Sequence, residues 1–264
     1  MRIFLVAITL FITVNSTFGQ SENESFFYIP EFTIGKTMEA NDMFPKTNLQ
    51  TGLFINFGRF NYTNDKDWAV QLNYPKTGVS IGITDFGNSE KLGQAYSVIP
   101  FIEYSLGKKW NVYVGMGGSY SNTLYDEVEN PFNRAITTRL NWTFKSFLHH
   151  DLFKGDKIDW RLGLGYIHHS NGHSRLPNQG LNSFLASFSA LVKSQPELNY
   201  TIEKPEKSRS SQTYFSGRIG FGQNVLSEEF NDKKGVYSIA VSAGKVINKT
   251  FRFGGGFYYR FYQQ

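Results

Sequence analysis

The sequence predicts an all-β chain: a transmembrane antiparallel β-barrel of about twelve strands, or eight with long extensions, preceded by a cleaved signal peptide. Three observations carry this. The chain is ring-rich, with 25 Phe and 15 Tyr, yet its mean hydropathy is only −0.35. Apolar and small or polar residues alternate with period two through almost the whole length. No segment after the N-terminus offers the roughly twenty continuous apolar residues that a membrane helix needs. Alternation reconciles the first two, because lipid-facing rings and lumen-facing polar groups average out along each strand.

The elements follow in order. Arg2 and the apolar run Ile3 to Val14 read as a secretory signal, with cleavage expected after Gly19. Residues 1–19 are therefore taken as signal peptide and 20–264 as the barrel domain. Alternation predicts strands near 26–36, 49–60, 67–74, 78–85, 95–106, 110–120, 136–149, 158–170, 181–193, 211–224, 235–246 and 250–262. The last is the plainest: Phe251, Phe253, Phe257, Tyr259 and Phe261 share one face, and Arg252, Gly254, Gly256, Tyr258 and Arg260 the other. Such a ring-covered face on an open sheet invites aggregation, and closure into a barrel removes the edges. Gly107-Lys108-Lys109 and Ile247-Asn248-Lys249 read as tight periplasmic turns, and 121–135 and 171–180 as outer loops. The 193–210 connection falls on the periplasmic side and is long for it. Trp68, Trp110, Trp142 and Trp160 lie near strand ends, as an aromatic girdle would.

Bulk properties narrow the function. There is no cysteine, hence no disulfide framework and no thiolate metal site. His149-His150-Asp151 lacks the geometry of a ligand set, because consecutive strand residues point oppositely; no metal or other cofactor is expected. The net charge is +5. Nucleic acid is excluded as a partner for an exported chain, and the outer membrane of a Gram-negative bacterium is the expected location.

Chemistry concentrates in YIHHSNGHSRLPNQGLN, Tyr166 to Asn182, which holds three of the five histidines. In the strand ending at Ser170, residues Leu162, Leu164, Tyr166, His168 and Ser170 share a face that is apolar until its end. In the next strand Asn182, Phe184, Ala186 and Phe188 share a mostly apolar face. If both faces meet lipid, His168, Ser170 and Asn182 gather on the outside of the wall. Polar groups there are costly unless they pair with each other. They are badly placed for a soluble substrate and well placed for an ester in a lipid. Ser170 would attack an acyl carbonyl, His168 would take and return the proton, and Asn182 would hold the imidazole tautomer. Asn171, Gly172 and Asn178 offer N–H donors for the oxyanion. His169 points the other way and is not the base. Leu164, Tyr166, Phe184 and Phe188 would hold acyl chains, with Arg175 near phosphate. H-x-S spacing is common, and the alternative is a non-catalytic outer-membrane barrel, a small pore or a structural protein, whose loop simply turns.

His168-x-Ser170-Asn171 followed by Pro177-Asn178-x-Gly180-x-Asn182 resembles the signature of the PagL-type lipid A deacylases, outer-membrane barrels that hydrolyse an ester-linked acyl chain from lipid A. The resemblance implies lipid A or lipopolysaccharide as substrate, His168 as base, Ser170 as nucleophile and an oxyanion region at Asn171, Gly172 and Asn178. The family's acidic third member is Glu, whereas this chain has Asn182. An amide orients a histidine but does not stabilise imidazolium by charge, so weakened activity is expected. About eighty residues follow the motif, more than in compact family members, which implies a larger barrel.

Overall fold

The computed structural model describes residues 25–194, 210–249 and 251–263. The expected signal peptide and most of the 193–210 connection lie outside the described residues. Eight strands, β1 (Phe26–Thr37), β2 (Gln50–Arg59), β3 (Lys76–Asp85), β4 (Gln94–Leu106), β5 (Trp110–Ser121), β6 (Leu140–Lys154), β7 (Ile158–Ser170) and β8 (Leu181–Lys193), form a closed antiparallel barrel in sequence order. Three more, β9 (Ser211–Asn224), β10 (Lys234–Ile247) and β11 (Phe251–Tyr262), form a separate open sheet.

This corrects the expectation of about twelve strands in one barrel. The seam closes between β1 and β8, with Phe32 opposite Phe188 and Ile34 opposite Ala186. That pairing uses the free edge of β1 and leaves β9 no barrel edge to join. Residues 67–74 are not a strand. They contain a short helix, α1 (Asp67–Gln71), closed by Asn73 and Tyr74 at φ of 57° and 54°. WAVQL is a short apolar run that fits a helical turn as well as a strand, and Asp67 suits a first helical turn. The strand expected over 136–149 begins later, at Leu140, because Ala135 and Ile136 are buried in a loop cluster with Phe44, Phe86, Leu92, Ala95 and Leu181. That cluster covers the barrel mouth at the β7–β8 end.

The barrel wall is inverted relative to a soluble protein. Leu53, Ile55, Val79, Ile81, Leu164 and Phe184 point outward and are exposed. Glu31, Asn56, Glu103, Lys145, His149 and Arg161 point inward and are buried. Strands of 10 to 15 residues meet or exceed the roughly 9–11 needed to cross a hydrocarbon core. Among the described residues no helix is long and apolar enough to cross a membrane. Eight strands enclose an interior just wide enough for side chains to fill, and those inward residues are buried there.

Buried charge in that interior is paired. Glu103 meets Lys76 at 2.9 Å and Arg161 at 2.9 and 3.1 Å. Glu31 meets Lys145 at 2.6 Å. The His149 ring lies between the two carboxylates, 3.4 Å from Glu31 and 3.5 Å from Glu103. Removing one member strands the others in a dry interior, at a cost of about 3–5 kcal/mol. Glu103→Gln is therefore expected to lower the unfolding free energy by about that much, read from urea unfolding in detergent micelles. A change within the extrapolation error would mean that the interior is wetter than its burial indicates.

In the open sheet, Phe215, Ile219, Tyr237, Ile239, Phe257 and Tyr259 share one face through the register Ile239↔Ile219 and Ile239↔Tyr259. Tyr214, Ser216, Arg218, Arg252 and Arg260 lie on the other. The ring alternation that announces a barrel wall thus occurs in strands outside the closed barrel.

Candidate active site

The β7–β8 hairpin sets the geometry. Its register places His168 directly opposite Asn182, Tyr166 opposite Phe184 and Leu164 opposite Ala186. Period-two alternation turns Leu162, Leu164, Tyr166, His168 and Ser170 outward, while Arg161, Ile167 and His169 are buried inside. The predicted outward face is therefore the observed one.

His168 and Asn182 meet: Nδ1 lies 2.8 Å from Asn182 Oδ1. An amide oxygen only accepts, so the proton of that bond sits on Nδ1. In the neutral ring this leaves Nε2 with a free lone pair, the form a general base needs. Asn182 Oδ1 also accepts from Tyr166 Oη at 2.5 Å, and the Tyr166 ring lies nearly parallel to the imidazole with centroids 6.5 Å apart. The Asn182 carbonyl accepts from the Met38 N–H at 2.8 Å, tying the strand to the β1 end.

Ser170 lies two residues beyond His168 on the same face. Its hydroxyl has no hydrogen-bond partner among the described residues, so the serine–imidazole bond is open in this structure. Catalytic hydrogen bonds commonly tighten only when substrate arrives.

The loop between the strands is cross-braced. Asn178 Oδ1 accepts from the Asn171 backbone N–H at 3.1 Å. The Asn171 side chain donates to the Arg175 carbonyl at 2.8 Å and accepts from Ser174 N–H at 3.0 Å. Pro177 O accepts from Thr137 Oγ1, and the N–H groups of Gln179 and Gly180 donate to Arg134 O and Ala135 O, each at 3.1 Å. This revises the expected oxyanion set. The backbone N–H of Asn171 and one of its two amide hydrogens are committed to the loop itself. The Gly172 N–H, the Asn178 Nδ2 group and the second Asn171 amide hydrogen remain among the three predicted residues. Arg175 is exposed in the loop.

Leu164, Tyr166, Phe184 and Phe188 all lie on the outer wall, as expected, and Tyr166 packs on Phe184 at 5.5 Å. Sequence reasoning treated Tyr166 only as acyl contact and missed its hydroxyl's bond to Asn182. It also did not bring the expected 136–149 strand to the site, where β6 places Trp142 opposite Ser170 and Phe144 opposite His168. The three-residue turn 155–157 between β6 and β7 was the available signal, although a register shift between Asp151 and Phe153 obscures the count. Gly180 was named as a motif position without a role. It adopts φ of 73°, and a Cβ there would sit 2.8 Å from His168 Cε1. Inside the barrel, His169 Nδ1 is held by Ser119 at 3.0 Å and Thr143 at 2.9 Å, away from the outer cluster.

The outer wall thus carries the groups that acyl transfer would use: an imidazole whose Nδ1 is bound to an amide oxygen, a serine two residues further along the same face, amide donors in the adjoining loop, and an apolar track of Phe144, Tyr166, Phe184 and Leu164. Compared with known families, residues 12–190 match the family model described as lipid A 3-O-deacylase (PagL). No curated protein matches the chain.

Proposed function

The chain belongs to the lipid A 3-O-deacylase (PagL) family, and from that premise we propose that it is an outer-membrane serine esterase that removes the 3-O-linked acyl chain of lipid A. The observation that carries this reading is the 2.8 Å contact between His168 Nδ1 and Asn182 Oδ1 on the lipid-facing wall, one strand position pair below Ser170. A buried or lumenal site would suit a soluble ester; this one meets the bilayer's own.

Lipid A lies with its acyl chains along Leu164, Tyr166, Phe184 and Phe188, and Arg175 stands at headgroup level, where its charge suits a phosphate. His168 Nε2 removes the Ser170 proton as Oγ attacks the ester carbonyl. The tetrahedral oxyanion takes hydrogen bonds from Gly172 N–H and Asn178 Nδ2. The C–O bond to the sugar breaks, and His168 returns the proton to the departing sugar hydroxyl. Water then attacks the acyl-serine by the same base, releasing the fatty acid and restoring Ser170. No cofactor takes part in these steps. Asn182 holds the tautomer throughout but carries no charge to stabilise the imidazolium.

Mass spectrometry of lipid A from cells producing the protein should show loss of one ester-linked acyl chain; unchanged lipid A would favour a non-catalytic envelope protein. Asn182→Ala removes the acceptor that fixes Nδ1–H, and the rate is expected to fall by about 10²–10⁴-fold. Asn182→Glu supplies the missing charge and is expected to raise the rate above wild type. If the rate falls instead, the site is built around the amide and its second partner, the Tyr166 hydroxyl.

A further inference from the structure

The C-terminal sheet lies beyond the residues matched by the family, yet its β9–β10 loop grips the site loop. Asn231 makes two bonds to one residue of that loop. Its Oδ1 accepts from Leu176 N–H at 3.0 Å, and its Nδ2 donates to Leu176 O at 2.6 Å. Two antiparallel bonds to a single residue fix both its peptide planes. In the same loop Glu228 pairs with the guanidinium of Arg134, and the Arg134 carbonyl in turn accepts from Gln179 N–H at 3.1 Å. The β9–β10 loop is itself ordered: Val225 is buried, Leu226 N–H donates to Phe230 O at 3.3 Å, and Phe230 N–H donates to Ser227 Oγ at 3.2 Å.

Leu176 is two residues before Asn178, whose amide holds the backbone N–H of Asn171, the residue that follows Ser170. We propose that Asn231 is a positioning residue for deacylation: by clamping Leu176 it sets Asn178, and through Asn178 the nucleophile's end of β7. This rests on the esterase reading for its catalytic consequence, but not for the clamp itself. A tether at the opposite end of the sheet, Lys249 to Asp67 of α1 at 3.1 Å, serves as an internal control.

The test compares wild type, Asn231→Ala and Lys249→Ala as full-length protein in detergent micelles. Two readouts are taken: kcat and KM on lipid A, and the rate at which trypsin cuts the Arg175–Leu176 bond, followed by peptide mass spectrometry. Asn231→Ala is expected to lower kcat about tenfold, the worth of roughly one net hydrogen bond, with KM unchanged because the acyl track is untouched. The same variant should speed cleavage after Arg175 about tenfold by exposing the Leu176 backbone, while Lys249→Ala matches wild type in both. Cleavage and kcat equal to wild type in Asn231→Ala would overturn the proposal. Faster cleavage with unchanged kcat would also overturn it, leaving only a structural tether. Inactive wild type with faster cleavage in Asn231→Ala would sink the esterase reading and leave the clamp standing.

Discussion

Ser170→Ala is expected to lower deacylation of lipid A by at least about a thousandfold, because the steps of a nucleophile–base unit fail together when its nucleophile is removed. The expectation comes from position as well as type. Ser170 is the hydroxyl at the end of the lipid-facing row that carries His168, and its partner on β6 is Trp142, which has no nucleophile to substitute. The loss should appear in kcat. KM should hold, since the apolar track is separate from the hydroxyl. The folded barrel should survive, because Ser170 has no hydrogen bond to lose among the described residues. A variant retaining a tenth of the wild-type rate would show that another group makes the acyl bond.

Gly180→Ala is expected to cost about a hundredfold, the scale on which a displacement of about 1 Å in a catalytic group is felt. Two independent effects act there. The residue's φ of 73° lies in the left-handed region, which a Cβ disfavours. The added carbon would also stand 2.8 Å from His168 Cε1 and 3.1 Å from the His169 carbonyl. The backbone cannot yield, so the imidazole must, and its bond to Asn182 is the one disturbed. Because wild type holds the ring in that bond, the loss should fall on kcat. A rate within twofold of wild type would mean that the imidazole has room to spare.

Much of the wall and site was legible before any coordinates, for a simple reason. Period-two alternation states which side chains share a face, and a short loop between two strands states which of them meet. From those two rules follow the outward row Leu164, Tyr166, His168, Ser170 and its contact with Asn182. They also send His169 inward, where it is found. Alternation does not say which edges pair, so it did not reveal that β8 returns to β1, with Phe32 opposite Phe188, and leaves β9–β11 outside. The sheet at Phe251–Tyr262 carries the same pattern as a barrel strand because both present one apolar face. The α1 segment was misread because five residues are too few to distinguish periods of 2 and 3.6.

Within the site, what escaped was whatever depends on backbone hydrogen bonding or distant partners. Asn171 was assigned to the oxyanion by residue type; its backbone N–H and one amide hydrogen also brace the loop. The Tyr166 hydroxyl went unassigned because its ring fits an acyl contact. Asn231 is 55 residues from Leu176, and no local pattern connects them. Asn182 was singled out in the sequence, and the structure gives it a geometry: one amide oxygen shared by an imidazole and a phenol.

The central claim is that Ser170, on the lipid-facing wall, is the nucleophile. The most direct measurement is to treat the protein in micelles with a fluorophosphonate and locate the adduct by peptide mass spectrometry. The account predicts one adduct, on the peptide that contains Ser170, lost in His168→Ala as well as in Ser170→Ala. An adduct on any other serine, or no adduct on a protein that still deacylates lipid A, would contradict it.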